Sequence, residues 1–114
     1  MFKSKRFGIF SMILPLVLST GSAYANIRKD IDIIEVGLSK NTGRVFVKSS
    51  VQATDTNCSD KALYAMKSGT PEAYVFYSAA LSAMKDRKKM RIQYESDQCL
   101  EQAPKIDVFW NLSY

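Results

Sequence analysis

Five basic residues fall within seven positions of this chain: Lys85, Arg87, Lys88, Lys89 and Arg91, inside the run MKDRKKMRIQY. Such a density could hold the phosphates of a nucleic acid or an anionic membrane surface. Its ordinary role is the solvated passage from a helix end to a strand, where positive side chains favour the negative end of the helix dipole. Asp86 sits inside the run and lowers its net charge, so the passage is the reading adopted. Carboxylates are the next candidates. Asp30, Asp32 and Glu35 lie close together, as do Glu95, Asp97 and Glu101, and a glycosidase-type site needs only two such groups at a set separation. Solvent-facing strand and loop positions account for them without chemistry. The chain contains no histidine, which removes Ser-His-Asp and Cys-His catalysis and histidine metal sites. Its five glycines are scattered and build no phosphate loop. No enzyme, no cofactor and no metal site is expected, and the ligand-binding residues are left unassigned.

Cys58 and Cys99 are the only cysteines. They form no C-x-x-C redox pair, and two cysteines without histidine make a poor zinc site. In an exported chain the natural reading is one disulfide between them. Closing a loop of about 40 residues contributes roughly 4 kcal/mol in the chain-entropy picture.

Export follows from the first residues. MFKSKRFGIFSMILPLVLSTGSAYAN carries Lys3, Lys5 and Arg6, then an apolar run to about Leu18, then Ala23-Tyr24-Ala25. That is the layout of a secretory signal peptide. The run is short of the roughly 20 residues a membrane span needs, and Pro15 interrupts it. The expected domains are a signal peptide at 1–25 and a single domain at 26–114, with no membrane span after cleavage and a periplasmic or secreted bacterial location. Removing the three basic residues lowers the net charge from +5 to +2. A near-neutral exported domain is a poor partner for nucleic acid, and none is expected.

The elements that must position any site follow from periodicity. DIDIIEVGLS is a long first strand, with Ile31 and Ile33 on one face and a phase change at Ile33-Ile34 that suits a bulge and brings Ile34, Val36 and Leu38 into register. SKNTG is turn chemistry, and RVFVKSSVQ returns as the second strand of a hairpin. ATDTNCSD is a loop, and KALYAMKSG is a weaker third strand, where a helical turn would fit as well. Thr70 is a candidate N-cap, with Pro71 and Glu72 in the first turn of a helix whose buried stripe is Ala73, Tyr77, Ala80, Leu81 and Met84. MRIQYES alternates, with Met90, Ile92 and Tyr94 inward. DQCLEQAP is read as a loop. KIDVFWNLSY alternates again, with Ile106, Val108, Trp110, Leu112 and Tyr114 on one face and Phe109 exposed on the other.

Three strands, a helix and two strands is the order of a five-stranded OB-like Greek-key barrel with its helix between strands three and four. If the strands circle in the order 1-2-3-5-4, the ends of strands two and four emerge together, which brings Cys58 near Cys99. An α+β antiparallel sheet with one packed helix fits the same pattern.

The run FYSAALSAMKDRKKMRIQYESDQC resembles the helix, lysine-containing turn and following strand of the small B subunits of subtilase cytotoxin and pertussis-like toxins. It is also similar to small stand-alone exported proteins of Gram-negative bacteria. The resemblance covers roughly Ile31 to Tyr114, with Arg44 to Val47, Cys58 and Cys99 standing where those relatives carry a GRVFV-like strand and two cysteines. It implies an OB-like fold, export and, for the toxin subunits, a pentameric ring that binds cell-surface glycans. The resemblance carries over no binding residue.

The expected function is that of an exported, non-enzymatic binding module, with a glycan among its targets. The alternative is a structural or assembly protein of the bacterial envelope that binds a protein partner. Phe46, Tyr64, Tyr74 and Phe109 are the aromatics available for a stacking surface, with core or interface packing the ordinary role of each.

Overall fold

The computed structural model describes residues 26–114 apart from Thr42, so the expected signal peptide at 1–25 lies outside the described residues. Six strands and one helix follow in order: β1 (Asn26–Ile31), β2 (Glu35–Ser39), β3 (Arg44–Lys48), β4 (Leu63–Lys67), α1 (Pro71–Asp86), β5 (Met90–Leu100) and β6 (Ala103–Asn111). They form a single sheet in the order β1-β5-β6-β4-β3-β2. Neighbours run antiparallel except β4 and β6, which are parallel through Ala65 and Lys105. The protein is mainly β, and no ladder joins β1 to β2, so the sheet is not closed.

The five expected strands are six because the first one breaks at Asp32 to Ile34. Asp32 is held from outside the sheet. Its carboxylate accepts hydrogen bonds from Ser49 Oγ at 2.5 Å, the Ser50 N–H at 3.0 Å and Ser50 Oγ at 2.9 Å. Partial burial alone would raise its pKa, but these donors outweigh that and hold it below the usual carboxylate value. The chain changes direction there, so β1 pairs with β5 while β2 pairs with β3. The expected phase change is this break: Ile31 and Ile33 are buried, whereas Ile34 is exposed.

The core is built on Tyr64, Tyr94, Phe76, Ile31, Met90, Ile92 and Val47, all fully buried. The two tyrosine rings lie 5.7 Å apart and tilted. Each hydroxyl keeps a partner, as a buried phenol must: Tyr64 donates to the Val51 carbonyl at 2.7 Å and Tyr94 to Asp55 Oδ1 at 2.8 Å. Burial, reinforced by nearby carboxylates, pushes both phenol pKa values well above the ordinary tyrosine range.

Helix α1 starts where the sequence places it. Thr70 accepts from the Ala73 N–H at 3.1 Å, and Pro71 takes the first position; such a cap contributes roughly 1 kcal/mol. Its buried stripe differs from the expected one. Ala73, Phe76, Ala80 and Ala83 face the core, while Leu81 is exposed and Tyr77 and Met84 are only partly covered. Small alanines let the helix approach the sheet, and the single large Phe76 fills the space between them.

Two further differences arise at the other end of the sheet. DQCLEQAP is a hairpin: β5 runs to Leu100, β6 starts at Ala103, and Glu101 and Gln102 turn the chain with positive φ of 50° and 76°. Arg44 Nη1 donates to the carbonyls of Leu100 and Glu101 at 3.0 and 2.8 Å, stabilising a turn whose residues have no intrinsic preference for it. In β6 the register shifts, with Gln93 opposite Val108 but Tyr94 opposite Ile106. That bulge reverses the alternation, so Phe109 packs inward against Phe76 with ring centroids 5.1 Å apart, correcting its expected exposure.

The expected disulfide between Cys58 and Cys99 is present, closing a separation of 41 residues. It pins the loop between β3 and β4 onto β5, next to hydrogen bonds from Thr56 Oγ1 and the Asn57 N–H to the Ser96 carbonyl. Replacing both cysteines by serine is expected to lower the unfolding free energy by roughly 4 kcal/mol, measured by urea denaturation against the oxidised protein.

At the other end of β5, Asp30 of β1 faces Arg91. Arg91 donates to both carboxylate oxygens, at 2.7 and 3.1 Å, and the Tyr114 hydroxyl donates to Oδ2 at 2.7 Å. These two hydrogen-bonding partners lower the Asp30 pKa to about 2. A carboxylate depressed in the folded state stabilises the fold above its unfolded value near 4 and loses that contribution as pH falls through about 2. Asp30→Asn is therefore expected to reduce stability at neutral pH and to flatten its decline between about pH 4 and 2, read by denaturant melts across that window.

Candidate functional site

Beside α1 the inner face of the β2–β3 hairpin is left partly uncovered. A groove of about 890 Å³ runs between them, walled by Leu38, Val45, Ala73, Tyr74 and Tyr77 and carrying Lys40 at the hairpin turn. Its origin lies in the helix. The Ala73, Phe76, Ala80 and Ala83 stripe seats α1 over the core, and this rotation leaves Tyr74 78% and Leu38 62% exposed. Leu38 pairs with Val45 across the hairpin, so β2 and β3 together form one wall. Large apolar side chains left exposed in a concave site mark a surface suited to binding.

The groove has a polar end. Ser39 and Lys40 approach Ser68, Gly69 and Thr70, which precede α1, and the Ser68 N–H donates to the Gly43 carbonyl at 2.8 Å to hold the two segments together. Gly43 and Gly69 take positive φ of 64° and 89° at these turns, where a side chain would be strained. Toward Tyr77, one turn further along the helix from Tyr74, the walls are apolar.

Of the aromatics singled out in the sequence, only Tyr74 lines this groove. Tyr64 is fully buried and Phe109 packs on Phe76. Phe46 lies across Gly37 on the opposite strand, where an added Cβ would fall inside its ring, and the Arg44 guanidinium stacks over it with a 5.4 Å separation. Leu38, Lys40 and Tyr77 escape sequence reasoning: alternation places Leu38 on the core side, helical spacing does the same for Tyr77, and nothing local shows that the helix stops short of covering them.

Asp30, Asp32 and Glu35 each have a different partner. Asp30 binds Arg91, Asp32 binds Ser49 and Ser50, and Glu35 lies 4.0 Å from Lys48 at the surface. Among the described residues, no three His, Cys, Asp or Glu side chains come together as a metal site.

The basic run divides as its sequence suggests. Helix α1 ends at Asp86; Arg87 turns the chain in the left-handed region at φ 57°, and the Lys88 N–H returns to the Ala83 carbonyl at 2.9 Å. Lys89 joins the C-terminal strand, donating its N–H to the Tyr114 carbonyl at 2.7 Å and accepting from Leu112 at 3.2 Å. Arg91 is spent on Asp30. A cleft of about 240 Å³ beside Arg87, Lys88 and Lys89 includes Asp32 in its wall, so its charge is mixed.

Among the described residues, no helix is long and apolar enough to cross a membrane. No family model, curated protein or solved structure matches the chain.

Proposed function

We propose that this protein is an exported, non-enzymatic binding module of OB-like build, and that its ligand occupies the groove between the β2–β3 hairpin and α1. Support for the OB-like reading comes from the parallel pairing of β4 with β6 and from β1 and β2 standing at opposite ends of the strand order while consecutive in the chain. The observation that carries the functional reading is the groove itself, with an exposed tyrosine above apolar walls and a polar end at the hairpin turn.

A glycan is the target implied by the toxin resemblance, since the C–H face of a sugar stacks on an aromatic ring such as Tyr74. The test is a glycan array probed with the exported protein, together with uptake of the neutral apolar dye Nile red. Tyr74→Asp is expected to weaken binding roughly tenfold and to leave the melting temperature unchanged, because the side chain is largely exposed. Failure to bind any sugar at millimolar concentration removes the glycan target. Failure to take up the dye as well removes the binding-module reading.

The envelope-assembly reading is favoured by a different observation: Ile34, Leu38 and Val75 are also exposed, on or beside edge strand β2 and on α1. Size-exclusion chromatography with light scattering separates the cases. A pentamer supports a toxin-like ring, and a monomer at every concentration counts against any self-assembly.

A further inference from the structure

We propose that the groove selects an amphipathic carboxylate, an aliphatic chain ending in a single acid group, bound as a free molecule; this rests on the reading of the groove as the binding site. Three features lead there. The walls formed by Leu38, Val45, Ala73, Tyr74 and Tyr77 are apolar, and about 890 Å³ lies within the roughly 300–1,000 Å³ of small-molecule sites. Lys40 is the one formally charged residue among the groove's described lining. It stands at the same end as Thr70 and Pro71, where the N-terminus of α1 adds partial positive charge. Glu72, the acidic residue of the first helical turn, does not line the groove.

The positive charge is therefore gathered at one end and the apolar surface extends from it. A ligand matching that polarity places its carboxylate beside Lys40 and its chain along Val45, Ala73 and Tyr77. Neutral hydrocarbon leaves Lys40 unused. A sugar carries hydroxyls around its whole ring, whereas Ser39, Lys40, Ser68 and Thr70 gather at one end of the groove, so the lining favours the acid over the glycan that the resemblance implies. One ammonium matches one carboxylate, and a dianionic phosphate calls for more cations than the lining supplies.

Isothermal titration of the exported protein with dodecanoate, dodecanol and dodecyltrimethylammonium, each below its micelle concentration, tests this. Dodecanoate is expected to bind best, with dodecanol roughly fivefold weaker and the cation weaker still. Lys40→Met should bring acid and alcohol closer in affinity, leaving only what the N-terminus of α1 contributes. Tyr74→Asp should weaken the acid and the alcohol, and circular dichroism should show both variants folded. Equal binding of acid and alcohol by the unsubstituted protein, or an unchanged ratio in Lys40→Met, would overturn the proposal. If Nile red enters and is lost in Tyr74→Asp while dodecanoate does not bind, the groove stands as a site and the carboxylate assignment falls. If neither binds, both fall. Cosedimentation with phosphatidylglycerol vesicles in the absence of dodecanoate binding would assign the surface to a membrane and also overturn it.

Discussion

The architecture depends on the capture of Asp32 by Ser49 and Ser50. A carboxylate that accepts hydrogen bonds from two serines of a neighbouring segment anchors the chain where it changes direction, and the first strand breaks there. Hydrogen bonds to a charged group contribute roughly 1.5–3 kcal/mol each when shielded and less at a partly exposed position. Their structural consequence exceeds their energy. One stretch of chain supplies both outer strands of the sheet, β1 beside β5 and β2 beside β3, and Ile31 and Ile33 enter the core from the bend between them.

The remaining ties hold the two flanks of that arrangement. On one side the disulfide, the Thr56 and Asn57 hydrogen bonds and the Asp60 N–H to the Gln102 carbonyl fasten the loop after β3 to β5 and the turn beyond it. On the other, Asp30, Arg91 and Tyr114 bind the C-terminal residue to the β1–β5 pair. Between the flanks lie the Tyr64–Tyr94 pair and Phe76, whose burial carries much of the apolar stabilisation. A domain this small has little core to spare. Peripheral ties of this kind fix the loops that a larger interior would hold by packing alone.

The groove is a by-product of the same economy. An alanine-rich stripe lets α1 sit close to the sheet at Phe76 and Phe109, and close approach there leaves the hairpin end uncovered. Packing stops there, and among the described residues no element covers Tyr74 and Leu38. The basic run that dominates the linear sequence contributes a helix cap through the Arg87 backbone, a backbone connection through Lys89 and an ion pair through Arg91.

Local rules made several features legible in the sequence. Thr70, Pro71 and Glu72 mark the helix start because capping needs only neighbours in the chain, and Met90, Ile92 and Tyr94 alternate because strand geometry has a period of two. Two cysteines in a chain that contains no others have only each other to join. Tertiary contacts decided the rest. The β5–β6 turn exists because Arg44, 56 residues away from Leu100, satisfies its carbonyls, and the bulge in β6 turns Phe109 inward because its partner strand is out of step. The break at Asp32 depends on serines in another segment, and the groove depends on where a helix comes to rest. Periodicity along the chain states which side chains can share a face; only the meeting of distant segments determines which of those faces is covered.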